Sequence, residues 1–137
     1  MKTEIINPPL SFAAYQRIFN ITMTHLNAVD ASPEFSCIIF SLVGVRIIRH
    51  YYNIPVKMVA GAAFYALDDS VVPPAGVGYA SSIVNGIPNS DGDHFHCWIQ
   101  CNGYAIDLMA PLFPKLLQAN KQYQEKLRRS LKVSHFC

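Results

Sequence analysis

Hydrophobic residues recur at helical spacing in the first part of the chain. From Ser11 to about Val29 they form a stripe with intervals of three and four residues, the spacing of one face of an α-helix. Ser11 follows two prolines and fits an N-cap. The pattern predicts a first helix over this range.

A second helical stretch runs from near Cys37 to about Tyr52 and is apolar nearly all round. A helix without a polar face is normally enclosed by other elements, so we expect a central, buried helix. Asn53 and Pro55 are residues that end helices.

The second half of the chain alternates strand and turn signals. Val56 to Leu67 is predicted as a strand, with Gly61 marking a bulge or a close approach. Asp68 to Asp93 is rich in Gly and Pro and predicts a long connection of the kind that carries binding loops, which could include a short strand around Val77 to Val84. A last amphipathic helix is predicted from about Lys115 to Leu131. The order of elements indicates an α+β fold.

Asn102-Gly103 lies between two β-prone runs and predicts a hairpin. Both central residues of a type I′ turn need positive φ, and Asn-Gly provides this most readily. A two-residue loop places Cys101 opposite Tyr104 and Trp98 opposite Asp107. One face of the hairpin is then apolar and belongs in a core: Phe95, Cys97, Ile99, Cys101, Tyr104, Ile106 and Leu108.

The other face of the hairpin holds its ionisable groups, and the register distinguishes the two histidines. His96 and Asp107 are diagonal neighbours at roughly 7–8 Å between backbones, within side-chain reach. His94 lies one pair further away. A carboxylate that binds one imidazole nitrogen leaves the other to act as a base. The open alternative is a surface histidine beside a surface aspartate.

Composition limits the class of protein. The 137 residues suit one domain, and 51% hydrophobic content indicates a compact globule. The net charge of +2 comes with no basic patch, so we expect no nucleic-acid partner. We find neither a signal peptide nor a run of about 18 apolar residues, so we expect a cytoplasmic protein without membrane contact. Its cysteines should be thiols.

Cys37 is the cysteine that the pattern leaves for chemistry. Cys97 and Cys101 lie on the apolar face of the hairpin and are interpreted as small buried hydrophobes, and Cys137 is terminal. Cys37 lies within about one turn of the predicted start of the second helix. Unpaired N–H groups there stabilise a thiolate, the nucleophilic form of cysteine. A buried structural cysteine is the alternative interpretation.

Together these features resemble the papain-like and transglutaminase-like cysteine superfamily, and most of all its uncharacterised bacterial families. Members place a nucleophilic Cys at the start of a central helix and the His and Asp on adjacent antiparallel strands. The resemblance covers Pro33 to Pro111. Its matching segments are the Cys37 helix, Asn53-Ile54-Pro55-Val56 before a strand, His96-Cys97-Trp98 like the His-x-Trp motif, and Gly103 to Leu108 like the Gly-x-x-x-Asp strand.

The chain also departs from that pattern. Phe35-Ser36 precede the cysteine where Gly or an aromatic residue is usual, and no Asn or Gln stands directly upstream of the cysteine to serve an oxyanion hole. The backbone N–H of Cys37 is the default donor. The chain also stops soon after its last predicted helix, so we expect a single papain-like domain over residues 1–137 that is short, or truncated, at its C-terminus.

The resemblance implies a cysteine hydrolase or acyltransferase that acts on a peptide, amide or thioester without a cofactor. Cys37 would attack the acyl carbon, His96 would act as base and then acid, and Asp107 would orient His96. Trp98 and His94 would contact substrate. Hydrolysis, deamidation and transfer all stay open, as does the oligomeric state.

Two other functions stay open as well. His94, His96 and Asp107 could form a three-ligand site for zinc or iron. A mixed His and Cys site is less favourable, because the histidines and the hairpin cysteines point to opposite faces. The chain could also be a catalytically inactive binding domain of the same fold.

Overall fold

The structure is a computed structural model that describes residues 7–33, 36–63 and 82–115. Two helices precede five short strands, which confirms an α+β fold. The elements are α1 (Phe12–Ala28), α2 (Cys37–Tyr51), β1 (Lys57–Gly61), β2 (Ser82–Val84), β3 (Ile87–Asn89), β4 (His96–Cys101), β5 (Tyr104–Ile106) and a 3₁₀ turn at Ala110–Leu112.

The chain divides into two compact units. The first consists of Met1–Val59 and Cys97–Met109, and the second of Ala60–His96 and Ala110–Cys137. The first unit contains both helices and most of the β4–β5 hairpin. The second contains the β2–β3 hairpin and the segment that leads into β4. The expectation of a single domain stays a prediction.

Helix α1 forms where the stripe predicted it. The Ser11 hydroxyl accepts a hydrogen bond from the Ala14 N–H at 3.2 Å, which confirms the N-cap. The buried face repeats every four residues and includes one polar side chain, Thr22. Its hydroxyl donates to the Ile18 carbonyl at 2.9 Å, so the buried hydroxyl is satisfied within the helix.

Helix α2 begins at Cys37 and ends at Tyr51, also as predicted. Asn53 takes a left-handed φ of 51°, and the Ile54 N–H donates back to the helix, which together terminate it. The Arg49 guanidinium donates to the Val56 carbonyl, with 2.8 Å from Nε. This contact ties the end of the helix to the residue before β1.

The expectation that α2 is buried all round is wrong. Its buried residues, Phe40, Ser41, Gly44 and Ile48, lie on one face. Ile38 and Leu42 on the other side are 40% and 50% exposed. Apolar composition indicates which residues can be buried, but the elements that the structure describes cover only one face of α2.

The β4–β5 hairpin has the predicted register. Ile99 pairs with Ile106 and Cys101 with Tyr104, in antiparallel strands. Asn102 and Gly103 both have positive φ, 47° and 82°, as a type I′ turn requires. The predicted apolar face is buried at every position from Cys97 onward except the half-buried Tyr104. Strand β1 completes the sheet in the order β1-β4-β5.

A second Asn-Gly hairpin lies in the segment predicted as an irregular connection. Asn85 and Gly86 have φ values of 52° and 76°, and Val84 pairs with Ile87. The turn signal is the same as at Asn102-Gly103, but its three-residue strands are too short to show alternation. Strand β1 ends at Gly61, whereas a strand to Leu67 was predicted. Residues 64–81 and 116–137, which include most of the predicted last helix, lie outside the described residues.

Within the described residues, no helix is long and apolar enough to cross a membrane.

α1 and α2 pack together through the stacked rings of Phe19 and Phe40, whose centroids lie 5.7 Å apart.

Helix α2 also packs against the β4–β5 hairpin, and this contact depends on Gly44. A Cβ atom at this position would lie 2.6 Å from Ile99 Cδ1 and would also overlap the side chain of Leu108. Both side chains are almost fully buried, so neither can move aside easily. The absence of a side chain at Gly44 is therefore what lets the helix approach β4 closely.

We predict that Gly44→Ala lowers the free energy of unfolding by about 1–2 kcal/mol. Overpacking costs about 1–3 kcal/mol, and the better helix propensity of Ala offsets about 1 kcal/mol of it. Urea denaturation measures the change. Ile99→Val removes one of the two clashing methyl groups, so the double variant should lose less than the sum of the two single changes. A Gly44→Ala protein that is more stable than wild type would contradict this packing.

Candidate active site

Cys37 is the first residue of α2 and is half-buried. The preceding Ser36 directs its hydroxyl away from the helix and donates to the Ser32 carbonyl at 2.7 Å, so its side chain does not cap the first turn. The N–H groups of a first helical turn lack intrahelical partners and favour a negative charge nearby. Cys37 therefore occupies the position expected for a reactive thiol.

Cys97 on β4 is in hydrogen-bond contact with Cys37. Burial, the negative charge and hydrogen bond of Cys37, and the charge of Asp107 raise the pKa of the Cys97 thiol to about 11. Because the hydrogen bond raises the pKa of Cys97, it favours the protonated thiol. The Cys97 S–H is therefore the donor, and the Cys37 sulfur is the acceptor. The burial of Cys97 confirms the prediction from the hairpin pattern, whereas its contact with Cys37 was not predicted.

Asp107 follows β5 directly and is only 9% exposed. Its Oδ1 accepts the Met109 N–H at 2.9 Å, which holds the carboxylate in a local turn. The negative charge of Asp107 is the smallest of the causes that raise the pKa of Cys97. Two of the three predicted catalytic residues, Cys37 and Asp107, lie in the first unit together with Cys97.

Tyr15 is a site residue that sequence analysis did not single out. Its hydroxyl donates to the backbone carbonyl of Asp107 at 2.7 Å. Burial, and then the negative charge of Asp107, raise the pKa of Tyr15. The residue was counted in the apolar stripe of α1, but a phenol in such a stripe usually finds a hydrogen-bond partner when it is buried. We call Tyr15, Cys37, Cys97 and Asp107 the thiol–carboxylate cluster.

Trp98 directly follows Cys97 on β4 and is half-buried. Because strand side chains alternate, it leaves β4 on the face opposite Cys97. Its role as a substrate contact stays a prediction.

His96 belongs to the second unit and is fully buried. Its ring lies beside that of Phe113, with centroids 6.0 Å apart and a tilt of 59° between the planes. Since His96 is 0% exposed and Asp107 only 9%, the alternative of a surface histidine beside a surface aspartate is wrong. Packing of the strand ends removes both side chains from water, which alternation alone could not reveal.

His94 lies in the same unit but is exposed. Its Nδ1 is 3.0 Å from Asp91 Oδ1, an oxygen that also accepts the N–H groups of Asp93 and His94. These hydrogen bonds, the one from Asp93 first, lower the pKa of Asp91. The proposed contact of His94 with substrate stays a prediction.

The described cysteines, Cys37, Cys97 and Cys101, are thiols, in agreement with the expectation from sequence. Over residues 7–33, 36–63 and 82–115, no three His, Cys, Asp or Glu side chains are grouped to hold a metal ion.

Comparison with known proteins identifies the family. Residues 11–134 match the family model described as "Protein of unknown function (DUF2026)", and the chain belongs to this family. A solved structure described as "The crystal structure of genomics APC5867" has a similar fold, with a TM-score of 0.63 and 27% sequence identity. The match covers 78% of this chain and 49% of that one, so the chain spans about half the length of this neighbour. No curated protein matches.

The raised pKa of Cys97 predicts a loss of stability at high pH. An unfolded cysteine ionises at a pKa of about 8.5, whereas folded Cys97 keeps its proton to about 11. The contribution of Cys97 to the free energy of unfolding is therefore fully present below a pH of about 8.5, and it is lost as the pH rises through about 11. Urea denaturation across this range should show a steeper loss of unfolding free energy in wild type than in Cys97→Ala.

Cys101→Ala is the matched control for this experiment, because Cys101 is equally buried at 2% exposure on the same strand. If the unfolding free energy falls with pH equally steeply in wild type and in Cys97→Ala, the raised pKa of Cys97 is contradicted.

Proposed function

We propose that the protein is a cysteine-nucleophile hydrolase or acyltransferase, with Cys37 as nucleophile, His96 as general base and acid, and Asp107 as the residue that orients His96. The observation that carries the proposal is the side-chain hydrogen bond between Cys97 on β4 and Cys37, together with the effect of the Asp107 charge on the pKa of Cys97. It supports a site in which the start of α2 and the end of β5 meet beside β4. His96 is the residue immediately before Cys97.

The environment of Cys37 supports its role as nucleophile. The first turn of α2 offers N–H groups that Ser36 does not cap through its side chain. The Cys97 S–H adds a hydrogen bond to the Cys37 sulfur, and donation to a sulfur favours its anionic form. Half-burial leaves one side of Cys37 open to an incoming acyl group.

The role of His96 makes a specific demand on β4. Consecutive side chains of a regular strand leave it on opposite faces. Since Cys97 contacts Cys37, the triad requires β4 to depart from strict alternation at His96. His96 is the first residue of β4, three positions before the first residue that pairs with β5, so the antiparallel ladder with β5 does not impose alternation there.

The chemistry would proceed through an acyl-enzyme. The Cys37 thiolate attacks the acyl carbon of an amide or thioester, and the backbone N–H of Cys37 is the default donor to the resulting oxyanion. His96 then gives its proton to the leaving amine or thiol. Water or a second nucleophile, deprotonated by His96, releases the acyl group. Hydrolysis, deamidation and transfer share these steps and differ in the group that accepts the acyl carbon.

The finer class that we propose is the papain-like and transglutaminase-like superfamily. Support comes from the order of the motifs along the chain and from the position of Cys37 at the start of a helix that packs on an antiparallel hairpin. Trp98 and His94 are the proposed substrate contacts. The substrate would be a peptide, a glutamine side chain or another acyl donor.

Alkylation by iodoacetamide at a series of pH values tests the nucleophile and its base together. Mass spectrometry of the Cys37 peptide gives the rate, and its pH midpoint should lie below the ordinary cysteine pKa of about 8.5. His96→Gln should raise the midpoint and slow alkylation at pH 6 by at least about tenfold, because the thiolate fraction changes tenfold per pKa unit. His25→Gln, an exposed histidine on α1, is the control.

Turnover of activated esters and thioesters gives the second measurement. His96→Gln should reduce it by about 10²- to 10⁴-fold, the usual contribution of general acid–base catalysis. A Cys37 thiol with an ordinary midpoint, unchanged in His96→Gln, would rule out the proposed mechanism.

A further inference from the structure

The proposed mechanism does not need a second thiol. Helix α2 nevertheless lies directly on β4 at Gly44 and Ile99, and near the starts of these two elements Cys37 and Cys97 are joined by a side-chain hydrogen bond. The two residues are sixty positions apart in the chain, and the fold brings them together where α2 begins and β4 passes. Two thiols in direct contact can be linked covalently when one of them is oxidised.

The two thiols differ in access and in ionisation. Cys37 is half-buried at a helix start, whereas Cys97 is 2% exposed. Burial and the neighbouring charges hold Cys97 in its protonated form. Oxidants attack accessible thiolates first, so Cys37 is the thiol that an oxidant reaches.

We propose that Cys97 is a resolving cysteine that captures oxidised Cys37 as a reversible intramolecular disulfide. The oxidant is hydrogen peroxide or an organic hydroperoxide. The Cys37 thiolate attacks one peroxide oxygen, and the O–O bond breaks to give a sulfenic acid and hydroxide or alkoxide, which takes a proton from water. The sulfur of Cys97 then attacks the sulfenic sulfur, the S–O bond breaks, and the Cys97 proton leaves with the oxygen as water.

The order of these steps follows from the contacts around Cys97. Conversion of Cys37 to a neutral sulfenic acid removes the negative charge that opposes ionisation of Cys97. Because Cys97 hydrogen-bonds Cys37, its proton can pass directly to the departing oxygen. The sulfurs must then close to about 2.05 Å. Cys37 is the first residue of α2, where a side-chain rotation disturbs one helical residue.

The disulfide would protect Cys37 from irreversible oxidation to a sulfinic acid and would be reversed by a small thiol or a thioredoxin-type dithiol. Its formation needs only the two thiols and the peroxide, and is independent of the proposed function. Reversible inhibition of turnover rests on that function, so disulfide formation and turnover are measured separately.

The experiment treats the reduced full-length protein with a small excess of hydrogen peroxide, blocks remaining thiols with N-ethylmaleimide, and maps peptides by mass spectrometry. In wild type we expect a peptide pair linked through Cys37 and Cys97, which dithiothreitol separates. In Cys97→Ala we expect a dimedone-reactive sulfenic acid at Cys37 that proceeds to sulfinic acid with more peroxide. Cys101→Ala, a buried cysteine on the same strand, should form the disulfide like wild type.

A wild-type protein that accumulates sulfenic or sulfinic acid at Cys37 without the Cys37–Cys97 link would overturn the proposal. So would a disulfide that joins Cys37 to any other cysteine. The peptide map of wild type decides this even if Cys97→Ala does not fold. A disulfide in a protein without turnover would support the redox site and remove the proposed function alone.

Discussion

The close approach of α2 to β4 at Gly44 is the contact on which the candidate site depends. With no side chain at Gly44, the helix lies directly on Ile99 and Leu108 of the hairpin segment. Cys37 is seven residues before Gly44, about 10 Å along a helix, and Cys97 is two residues before Ile99, about 7 Å along a strand. The two contacts, Gly44 with Ile99 and Cys37 with Cys97, thus give the helix and the strand a common direction. Packing of α2 on β4 at Gly44 therefore places Cys37, the candidate nucleophile, beside β4.

Local signals in the sequence were sufficient to predict where α1 begins, where α2 ends and where the hairpin turns. Ser11, Asn53 and Asn102-Gly103 each impose a backbone conformation or a capping hydrogen bond that depends on a few neighbouring residues. The register of the hairpin followed from the turn, and with it the burial of Cys97 and Cys101. These features could be predicted because their energetics are local.

The rest of the site depends on contacts between residues far apart in the chain. The hydrogen bond from Tyr15 to Asp107 and the contact between Cys37 and Cys97 each join two separate elements. Periodicity assigned Tyr15 and Cys97 to the core and contained no information on their polar partners. The exposed side of α2 was not predicted for the same reason. An apolar helix can be recognised in the sequence, but the distant elements that pack against it cannot.

We propose that His96 and Cys37 act as one catalytic pair. NMR titration of the His96 imidazole in wild type and in Cys37→Ala tests this most directly, because a neighbouring thiolate stabilises an imidazolium and raises its pKa. We expect the pKa of His96 to be at least about one unit higher in wild type than in Cys37→Ala, with the signal of His25 as the internal reference. A His96 titration that is the same in both proteins would contradict it.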